Sequence, residues 1–491
     1  MKSKFSKVLS ILLSVVLVIS SFYLLYQVIR LNVLPSKFLF PLTIGVVVLD
    51  AIFILLLIFF SKNVVSKIVC IVLTLFVCVA SCMGGYYISK TQSVLSNITN
   101  VAKHAKNTVS VIVKESSSIK NKSQLNGVSV GSLRLNEQGS KKALKELSSE
   151  GIVLNQTEYD SMTTLLEAFY NGEVDSIIIN ESSRSQILDM EAYSNFDSNT
   201  RVVYQTSYKV KNNDSATSVS DITSKPFNVL ISGSDTRGGF DENGRSDVIM
   251  VATVNPKSHT ILLTSVPRDF YVTTACDAGD GCMQGALDKI THTGIHGTNT
   301  TKRTVEQLLG IEINYTFKVG FDTVTKLVDT LGGVDVTVAP GYAVHNEYIN
   351  VKEGVNHLYG EEALEYARER YAYVEGDRQR TKNQQQVLMG IVKEATKPSV
   401  ITNYAAIMDT MANTFSTTMS NEEITDLIKY QLNNNPTWKM EQYMVDGTGD
   451  TLMCAELGDA ASVMVPDQST VKMAKDKINA VLAGKSSEDV K

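Results

Sequence analysis

Three long apolar runs open the chain and predict three transmembrane helices. They occupy residues 8–29, 38–61 and 68–89, and lysine or arginine flanks each one. Each run is long enough to cross a bilayer, which takes roughly 20 helical residues. In hydrocarbon the backbone N–H and C=O groups of such a run must be hydrogen-bonded to each other, and a helix pairs them within the run. Because the first run lacks a small-residue cleavage site and two more follow, we interpret it as a retained span rather than a signal peptide.

Positive charge beside these runs predicts their orientation. Lys2, Lys4 and Lys7 precede the first run, while Lys62 and Lys67 lie between the second and third. Lysine and arginine concentrate in cytoplasmic loops, so both segments are predicted to be cytoplasmic. The sequence therefore predicts a multi-pass protein of the cell membrane with a cytoplasmic N-terminus and extracellular C-terminal domains.

One acid, Asp50, interrupts the second apolar run. An ionised carboxylate is costly at this depth, so the residue needs a partner. It is either an acid hydrogen-bonded between the three helices or a contact for another membrane protein. We favour the first interpretation.

Beyond the apolar runs, strand and helix patterns alternate. Short apolar strands are predicted at 109–113, 127–131 and 174–179, and amphipathic helices at 140–148 and 162–170. This order favours a small parallel or mixed sheet. We predict a membrane anchor over residues 1–90 and an extracytoplasmic accessory α/β domain over 91–211.

The accessory domain carries no cluster of catalytic residue types, so we interpret it as a spacer or protein-interaction module. Its phrase NGEVDSIIIN resembles extracytoplasmic solute receptors. Residues 212–226, rich in Ser, Thr, Asn and Asp and closed by Pro226, form the predicted linker. Apolar strand patterns resume at Phe227 and predict a second α/β domain over residues 227–485.

Overall charge and cysteine spacing narrow the classes of function. The 491 residues carry a formal net charge of -5, which argues against a general nucleic-acid binder and makes any basic site local. Cys276 and Cys282 flank the turn DAGDG, and the sequence leaves open whether they form a disulfide or stay free thiols. Cys454 is left without a cysteine partner. No CxxC pattern of a zinc site is present.

Acidic and basic residues gather where the strands of the second domain begin and end. Asp235 follows the first strand, Arg245 and Asp247 precede the second, and Arg268 and Asp269 follow the third. Ligands of open α/β sheets bind at such strand ends. Carboxylates hold magnesium, and arginines fork onto phosphate. The pattern predicts a metal-assisted phosphate site rather than five unrelated surface charges.

A second basic cluster follows about a hundred residues later. Arg368 and Arg370 are predicted at the C-terminal end of a helix, where the helix dipole alone could explain them. Asp377 is predicted to cap the next helix, on which Arg380 and Gln384 are four residues apart and share a face. Cations aimed inward need an anion, so this cluster is predicted to complete the phosphate site. His292, in contrast, is interpreted as a hydrogen-bonding scaffold residue.

Several phrases, taken in order, resemble the LytR-CpsA-Psr (LCP) family of membrane-anchored cell-envelope enzymes. They are NVLISGSDTR, GRSDVIMVATVNP, ILLTSVPRDFYV, DKITHTG, LGGVDVTV, ALEYARERY and GDRQRTKNQQQV. Three spans followed by an extra domain look most like the streptococcal capsule member of the family. The resemblance implies that residues 227–485 are a catalytic α/β domain with a central mixed sheet flanked by helices.

The resemblance also implies an activity. The enzyme would transfer a glycopolymer from a polyprenyl-diphosphate carrier onto peptidoglycan through a phosphodiester, assisted by magnesium or alternatively manganese. The glycopolymer would be capsular polysaccharide, and capsule assembly proteins would be partners. The prenyl tail would lie in an apolar cavity between sheet and helices, although the same apolar faces could be ordinary core.

Site roles carry over by motif match. The metal would be bound by Asp235 and Asp247. The diphosphate would be bound by Arg245, Arg268, Arg368, Arg370, Arg380 and Gln384. Catalysis would involve Arg268, Asp247 and Asp269, and either carboxylate could accept the proton of the acceptor hydroxyl.

Two other functions stay open. The same diphosphate-binding residues would serve a pyrophosphatase that hydrolyses polyprenyl diphosphates with water as the acceptor. A non-enzymatic membrane regulator of capsule expression is the second alternative. Direct DNA binding by such a regulator is not expected, because the predicted cytoplasmic segments are too short for a DNA-binding motif.

Overall fold

The architecture is taken from a computed structural model. The structure describes residues 2–60, 63–99, 104–134, 137–234, 242–277, 282–397, 400, 406–407, 410 and 415–490. Two compact units are present, each treated separately below. The first comprises residues 1–99, 393–412 and 420–437, and the second comprises 100–392, 413–419 and 438–491.

Three long helices begin the chain, as the apolar runs predict. They are α1 (Lys2–Leu31), α2 (Ser36–Leu55, continued by a π-helical turn at Leu56–Phe60) and α3 (Val64–Thr99). All three are long and apolar enough to cross a membrane. The third continues ten residues beyond the predicted end at residue 89.

Asp50 lies on α2 and accepts a hydrogen bond of 2.8 Å from the hydroxyl of Ser21 on α1. A hydroxyl donor offsets part of the cost of placing the acid among apolar helices. This contact supports the interpretation of Asp50 as an acid held between the helices.

The accessory domain is a five-stranded mixed sheet with short helices. Its elements are β1 (His104–Lys114), β2 (Ser129–Leu133), α4 (Glu137–Ser149), β3 (Asn155–Tyr159), α5 (Met162–Asn171), β4 (Ser176–Asn180), α6 (Arg184–Asp189), α7 (Phe196–Asn199) and β5 (Thr200–Lys211). The strand order is β3-β2-β4-β1-β5. Strand β2 runs parallel to β3 and β4, and β1 runs antiparallel to β4 and β5.

The second α/β domain is built on a six-stranded mixed sheet. Its first elements are β6 (Phe227–Ser234), β7 (Val248–Asn255), β8 (Thr260–Ser265), β9 (Tyr271–Thr273), β10 (Leu287–Lys289), α8 (Thr298–Leu309), β11 (Tyr315–Gly320), α9 (Phe321–Leu331), β12 (Val334–Val338), β13 (Val344–His345), β14 (Asn350–Val351) and β15 (Gly354–Leu358). The remainder are α10 (Gly360–Arg368), α11 (Asp377–Ala395), β16 (Phe415–Thr417), β17 (Lys439–Met444), β18 (Gly447–Cys454), β19 (Asp459–Pro466) and α13 (Gln468–Leu482). Helix α12 (Asn421–Asn434), between β16 and β17 in sequence, belongs to the first compact unit.

The order of the large sheet is β16-β11-β6-β7-β8-β17. Strand β11 is parallel to β6 and β17 is parallel to β8, while β7 is antiparallel to both its neighbours. Leu230 and Leu262 of the sheet pack with Val305 of α8 and Ile478 of α13 in one buried core. Helix α11 is tied to the same sheet by Gln385, whose side-chain amide donates to the carbonyls of Leu263 on β8 and Tyr443 on β17 at 3.3 and 2.8 Å. This attachment fixes the helix that carries Arg380.

The segment predicted as a linker is hydrogen-bonded to the large sheet. The amide of Thr217 donates to the carbonyl of Asn314 at 2.8 Å, and Thr316 on β11 donates its hydroxyl to Asp214 at 2.7 Å. Burial raises the pKa of the Asp214 carboxyl to about 6. The accessory domain is therefore followed by a fixed connection rather than a free tether.

Cysteine pairing resolves the two alternatives left by the sequence. Cys276 and Cys282 form a disulfide that closes the small loop between them. Cys454 is buried and free, and burial raises the pKa of its thiol to about 12. A thiol this weakly acidic is mostly protonated at neutral pH and unreactive.

Candidate phosphate-binding site

The register of β7 and β8 places Asp247 opposite Arg268. Met250 pairs with Ser265 on these antiparallel strands, and the amide of Val266 still donates to the carbonyl of Ile249 beyond the strand end. If the register is continued by two residues from the pair Ile249 and Val266, Asp247 lies opposite Arg268. The Nη1 atom of Arg268 is 2.8 Å from Oδ1 of Asp247. The predicted meeting of charged residues at the strand ends therefore holds for this pair.

The charge of Arg268 is stabilised by neighbouring carboxylates despite its burial. Its side chain is 17% exposed and that of Asp247 is 11% exposed. Burial opposes the charged form, but Asp247 and Asp269 outweigh it and hold the pKa of Arg268 above its ordinary value. Asp269 lies 3.8 Å from Arg268 and 3.3 Å from Lys289. Arg268 is thus a permanent cation between two acids.

Backbone hydrogen bonds join the segments that carry these charges. The amide of Ser246 donates to the carbonyl of Thr291 at 2.9 Å, and the amide of Thr291 donates to the carbonyl of Arg268 at 3.0 Å. His292, next in sequence, is buried and its Nδ1 lies 2.7 Å from Asp288. His292 is therefore a hydrogen-bonding scaffold residue, as the sequence predicts. The backbone of the DKITHTG segment connects the segments that carry Arg268 and Asp247.

Gly294 is required by the close passage of the chain at Gly244 to Ser246. A Cβ at position 294 would lie 2.5 Å from the carbonyl oxygen of Gly244 and 2.6 Å from the amide nitrogen of Ser246. Both are backbone atoms, so a side chain can be accommodated only if the segment leading to Asp247 moves.

We expect Gly294→Ala to lower the activity of this site at least tenfold and to destabilise the fold by about 1 to 3 kcal/mol, the usual cost of overpacking. Gly449→Ala is the matched control, since a Cβ there meets no atom within 4 Å. Thermal unfolding and activity of both variants would be measured side by side. Equal activity of Gly294→Ala and wild type would show that the position of this segment is unimportant.

Helix α11 brings the second basic cluster to the first. The side chain of Arg380 is 11% exposed and pairs with Asp377, the first residue of its helix. Burial lowers the pKa of Arg380; Asp377 raises it, while the positive charges of Arg268 and Arg370 lower it further. Among the described residues the Nε of Arg380 has no hydrogen-bond acceptor. Three arginines therefore act on one another in a partly dry site, which favours binding of an anion.

Arg370 differs in position from the prediction. Helix α10 ends at Arg368, so Arg370 lies two residues beyond the helix and not at its C-terminal end. Its guanidinium stacks over the ring of Tyr371 with 4.6 Å to the centroid. The helix dipole therefore does not account for Arg370.

The other predicted ligands are dispersed. Arg245 pairs with Asp189 of the accessory domain. Arg368, with its side chain 51% exposed, lies 3.7 Å from Glu365 of its own helix. Gln384 is partly buried on α11. Asp235 lies outside the described residues.

The described residues provide few ligands for a divalent cation. No group of three or more His, Cys, Asp or Glu side chains that could hold a metal occurs among them. Asp247 accepts the hydrogen bond of Arg268 at Oδ1. A single carboxylate fits magnesium that takes its other ligands from phosphate and water.

One residue of this site was not identified from the sequence as a member of it. Lys289 contacts Asp269, and no local pattern could have indicated this, because the contact depends on the fold. Asp377, predicted as a helix cap within the second basic cluster, pairs with Arg380 three residues later on the same helix.

Comparison with known protein families matches residues 192–480 to the LytR_cpsA_psr family, more than half of the chain. The chain belongs to the LytR_cpsA_psr family. The match spans the large sheet and both basic clusters.

Relatives of this LytR_cpsA_psr chain carry names that describe a transferase. The polyisoprenyl-teichoic acid--peptidoglycan teichoic acid transferase TagU of Bacillus cereus (strain AH820) is 30% identical over 241 residues, covering 48% of this chain and 76% of the relative. TagU of Bacillus subtilis (strain 168) is 34% identical over 203 residues, covering 41% and 63%. The crystal structure of protein gbs0355 from Streptococcus agalactiae is 26% identical with a TM-score of 0.46, covering 53% of this chain and 89% of that one.

Proposed function

We propose that this protein is a membrane-anchored phosphotransferase that moves a glycopolymer from a polyprenyl-diphosphate carrier onto peptidoglycan. The observation that carries the proposal is the convergence of Arg268, Arg370 and Arg380 beside Asp247. Such a cluster needs an anion with several oxygens, and a diphosphate provides one. The names of the TagU relatives support polyisoprenyl-linked glycopolymer and peptidoglycan as the reactants.

Each residue of the cluster has a role in this proposal. Arg268 and Arg380 bind the diphosphate and stabilise the charge that develops on its oxygens, which is the main source of catalysis in phosphoryl transfer. Asp247 or Asp269 accepts the proton of the attacking sugar hydroxyl. Polyprenyl phosphate leaves from the phosphorus that keeps the glycan. Remaining diphosphate contacts are assigned to Arg245, Arg368, Arg370 and Gln384.

Magnesium belongs to the proposal as an electrostatic aid. Asp247 and Asp235 would hold it. When bound, the metal would neutralise charge on the bridging and terminal phosphate oxygens. Manganese is an alternative of the same ligand preference.

The catalytic domain is proposed to lie outside the cell. Lys37, in the first turn of α2, donates to the carbonyl of Asn433 at 2.7 Å, and Thr99 at the end of α3 donates to Asn421 at 2.7 Å. Both contacts are with α12, so the start of α2 and the end of α3 share one side of the three-helix anchor. This agrees with three crossings from a cytoplasmic N-terminus.

We further propose capsular polysaccharide as the glycopolymer, since three spans followed by an accessory domain resemble the streptococcal capsule member of the family. The full-length protein in detergent would be incubated with a polyprenyl-diphosphate-linked capsule repeat and isolated peptidoglycan. We expect sugar to become covalently bound to peptidoglycan. Release of free glycan phosphate without attachment would indicate the pyrophosphatase instead, and no turnover would contradict both.

A further inference from the structure

A pocket of about 470 Å³ lies between the accessory sheet and the segment that precedes β7. One wall is formed by β1, β5 and α6 with the turn before it, and the opposite wall by residues 242–245. Its volume is in the range of roughly 300 to 1,000 Å³ that is usual for small-molecule sites.

The lining of the pocket is polar and electrically balanced. Three cationic and three anionic side chains line it: Lys106, Arg184, Arg245, Glu181, Asp189 and Glu242. They pair with one another, for example Lys106 with Glu242 at 3.2 Å and Arg184 with Glu181 at 2.6 Å. A wall of paired charges has little preference for an anion. It presents donors and acceptors side by side, which suits hydroxyl groups that do both.

Two buried polar atoms among the lining residues lack partners. Neither Nε of Arg245 nor Oγ of Ser182 makes a hydrogen bond within the described part of the chain. Buried polar atoms are nearly always satisfied by protein, water or ligand.

The pocket begins beside the proposed diphosphate site. Arg245 is two residues before Asp247, which pairs with Arg268. Two residues of extended chain span at most about 7 Å. A glycan attached to the diphosphate must leave this site on the side opposite to the lipid.

We propose that this pocket binds the sugar next to the diphosphate and that the accessory domain thereby selects the glycan. The inference rests on the proposed function. It assigns a substrate-binding role to a domain in which the sequence shows no catalytic cluster. Because Arg245 contacts Asp189 across the pocket, this one arginine would contact both the sugar and its diphosphate.

The test uses two kinds of lipid probe that carry the same charge. One is farnesyl diphosphate esterified with a single hexose, in glucosyl, galactosyl and N-acetylglucosaminyl forms, and the other is its methyl ester. Binding to the full-length protein in detergent would be measured for wild type, Ser185→Tyr and Ser148→Tyr. Ser185 lines the pocket and makes no hydrogen bond within the described residues, whereas Ser148 is exposed on α4 and away from it.

For wild type, at least one hexose probe is expected to bind about tenfold more tightly than the methyl ester. Ser185→Tyr should abolish that advantage while affinity for the methyl ester stays within about twofold, and Ser148→Tyr should keep the advantage. No preference for any hexose in wild type, or equal loss of both probes in Ser185→Tyr, would overturn the glycan pocket and leave the diphosphate site intact. Failure of wild type to bind the methyl ester would instead overturn the proposed function.

Discussion

Replacing Arg380 with methionine is expected to lower transfer activity by about a thousandfold while leaving the melting temperature at or above that of wild type. A buried donor aimed at developing charge is worth about 10² to 10³ in rate. The effect on stability has the opposite sign, because burial, Arg268 and Arg370 all disfavour the charge of Arg380 and lower its pKa. Methionine fills similar space without a charge, so it removes this repulsion.

Arg378→Met is the matched control for this experiment. Arg378 lies on the same helix, but its side chain is 44% exposed and pairs with Asp446. An exposed pair contributes about 0 to 1 kcal/mol, so activity and stability should both stay near wild type. Activity would be followed as glycan attached to peptidoglycan, and stability by thermal unfolding. If Arg380→Met unfolds well below wild type, the residue is structural and its assignment to the anion site fails.

The second large effect is expected for Arg268→Lys. Lysine keeps a positive charge beside Asp247, so the buried carboxylate stays paired and the fold should survive. It loses the planar fork that contacts two phosphate oxygens at once. We expect kcat to fall by about 10² to 10³, equivalent to about 3 to 4 kcal/mol of transition-state stabilisation.

Arg303→Lys controls for the exchange itself. Arg303 is 40% exposed and pairs with Asp277, and it lies in none of the proposed contacts. The activity of the Arg303→Lys variant should equal that of wild type. Wild-type turnover in Arg268→Lys would mean that charge alone, and not the fork, is needed at this position.

Local pattern was sufficient for the parts of the fold where apolar residues are continuous along the sequence. The three apolar runs and the strands β6, β7 and β8 were predicted because their apolar side chains are contiguous in sequence. Strand β3 was missed because nearly all of its residues are exposed, so it has no apolar pattern. Strand β5 was also missed. It is an edge strand that alternates between partly buried and exposed positions and holds the sheet through its pairing with β1.

In the candidate site, too, some contacts could be predicted from the sequence and others could not. The Asp247–Arg268 pair could be anticipated because both residues adjoin consecutive strands, and an antiparallel register determines which residues face each other. The partner of Arg245 could not, since Asp189 comes from another domain 56 residues earlier in the chain. The need for glycine at 294 was equally invisible, because it depends on backbone that passes nearby only in the folded chain.

The central claim is that phosphorus stays with the glycan while polyprenyl phosphate leaves. Its most direct test is a carrier labelled with ³²P only in the phosphate next to the sugar, incubated with the full-length protein and peptidoglycan. The account predicts that label and sugar become bound to peptidoglycan together, in equal amounts, with unlabelled polyprenyl phosphate released. Label recovered in soluble glycan phosphate, or left on the lipid while sugar alone is transferred, would contradict it.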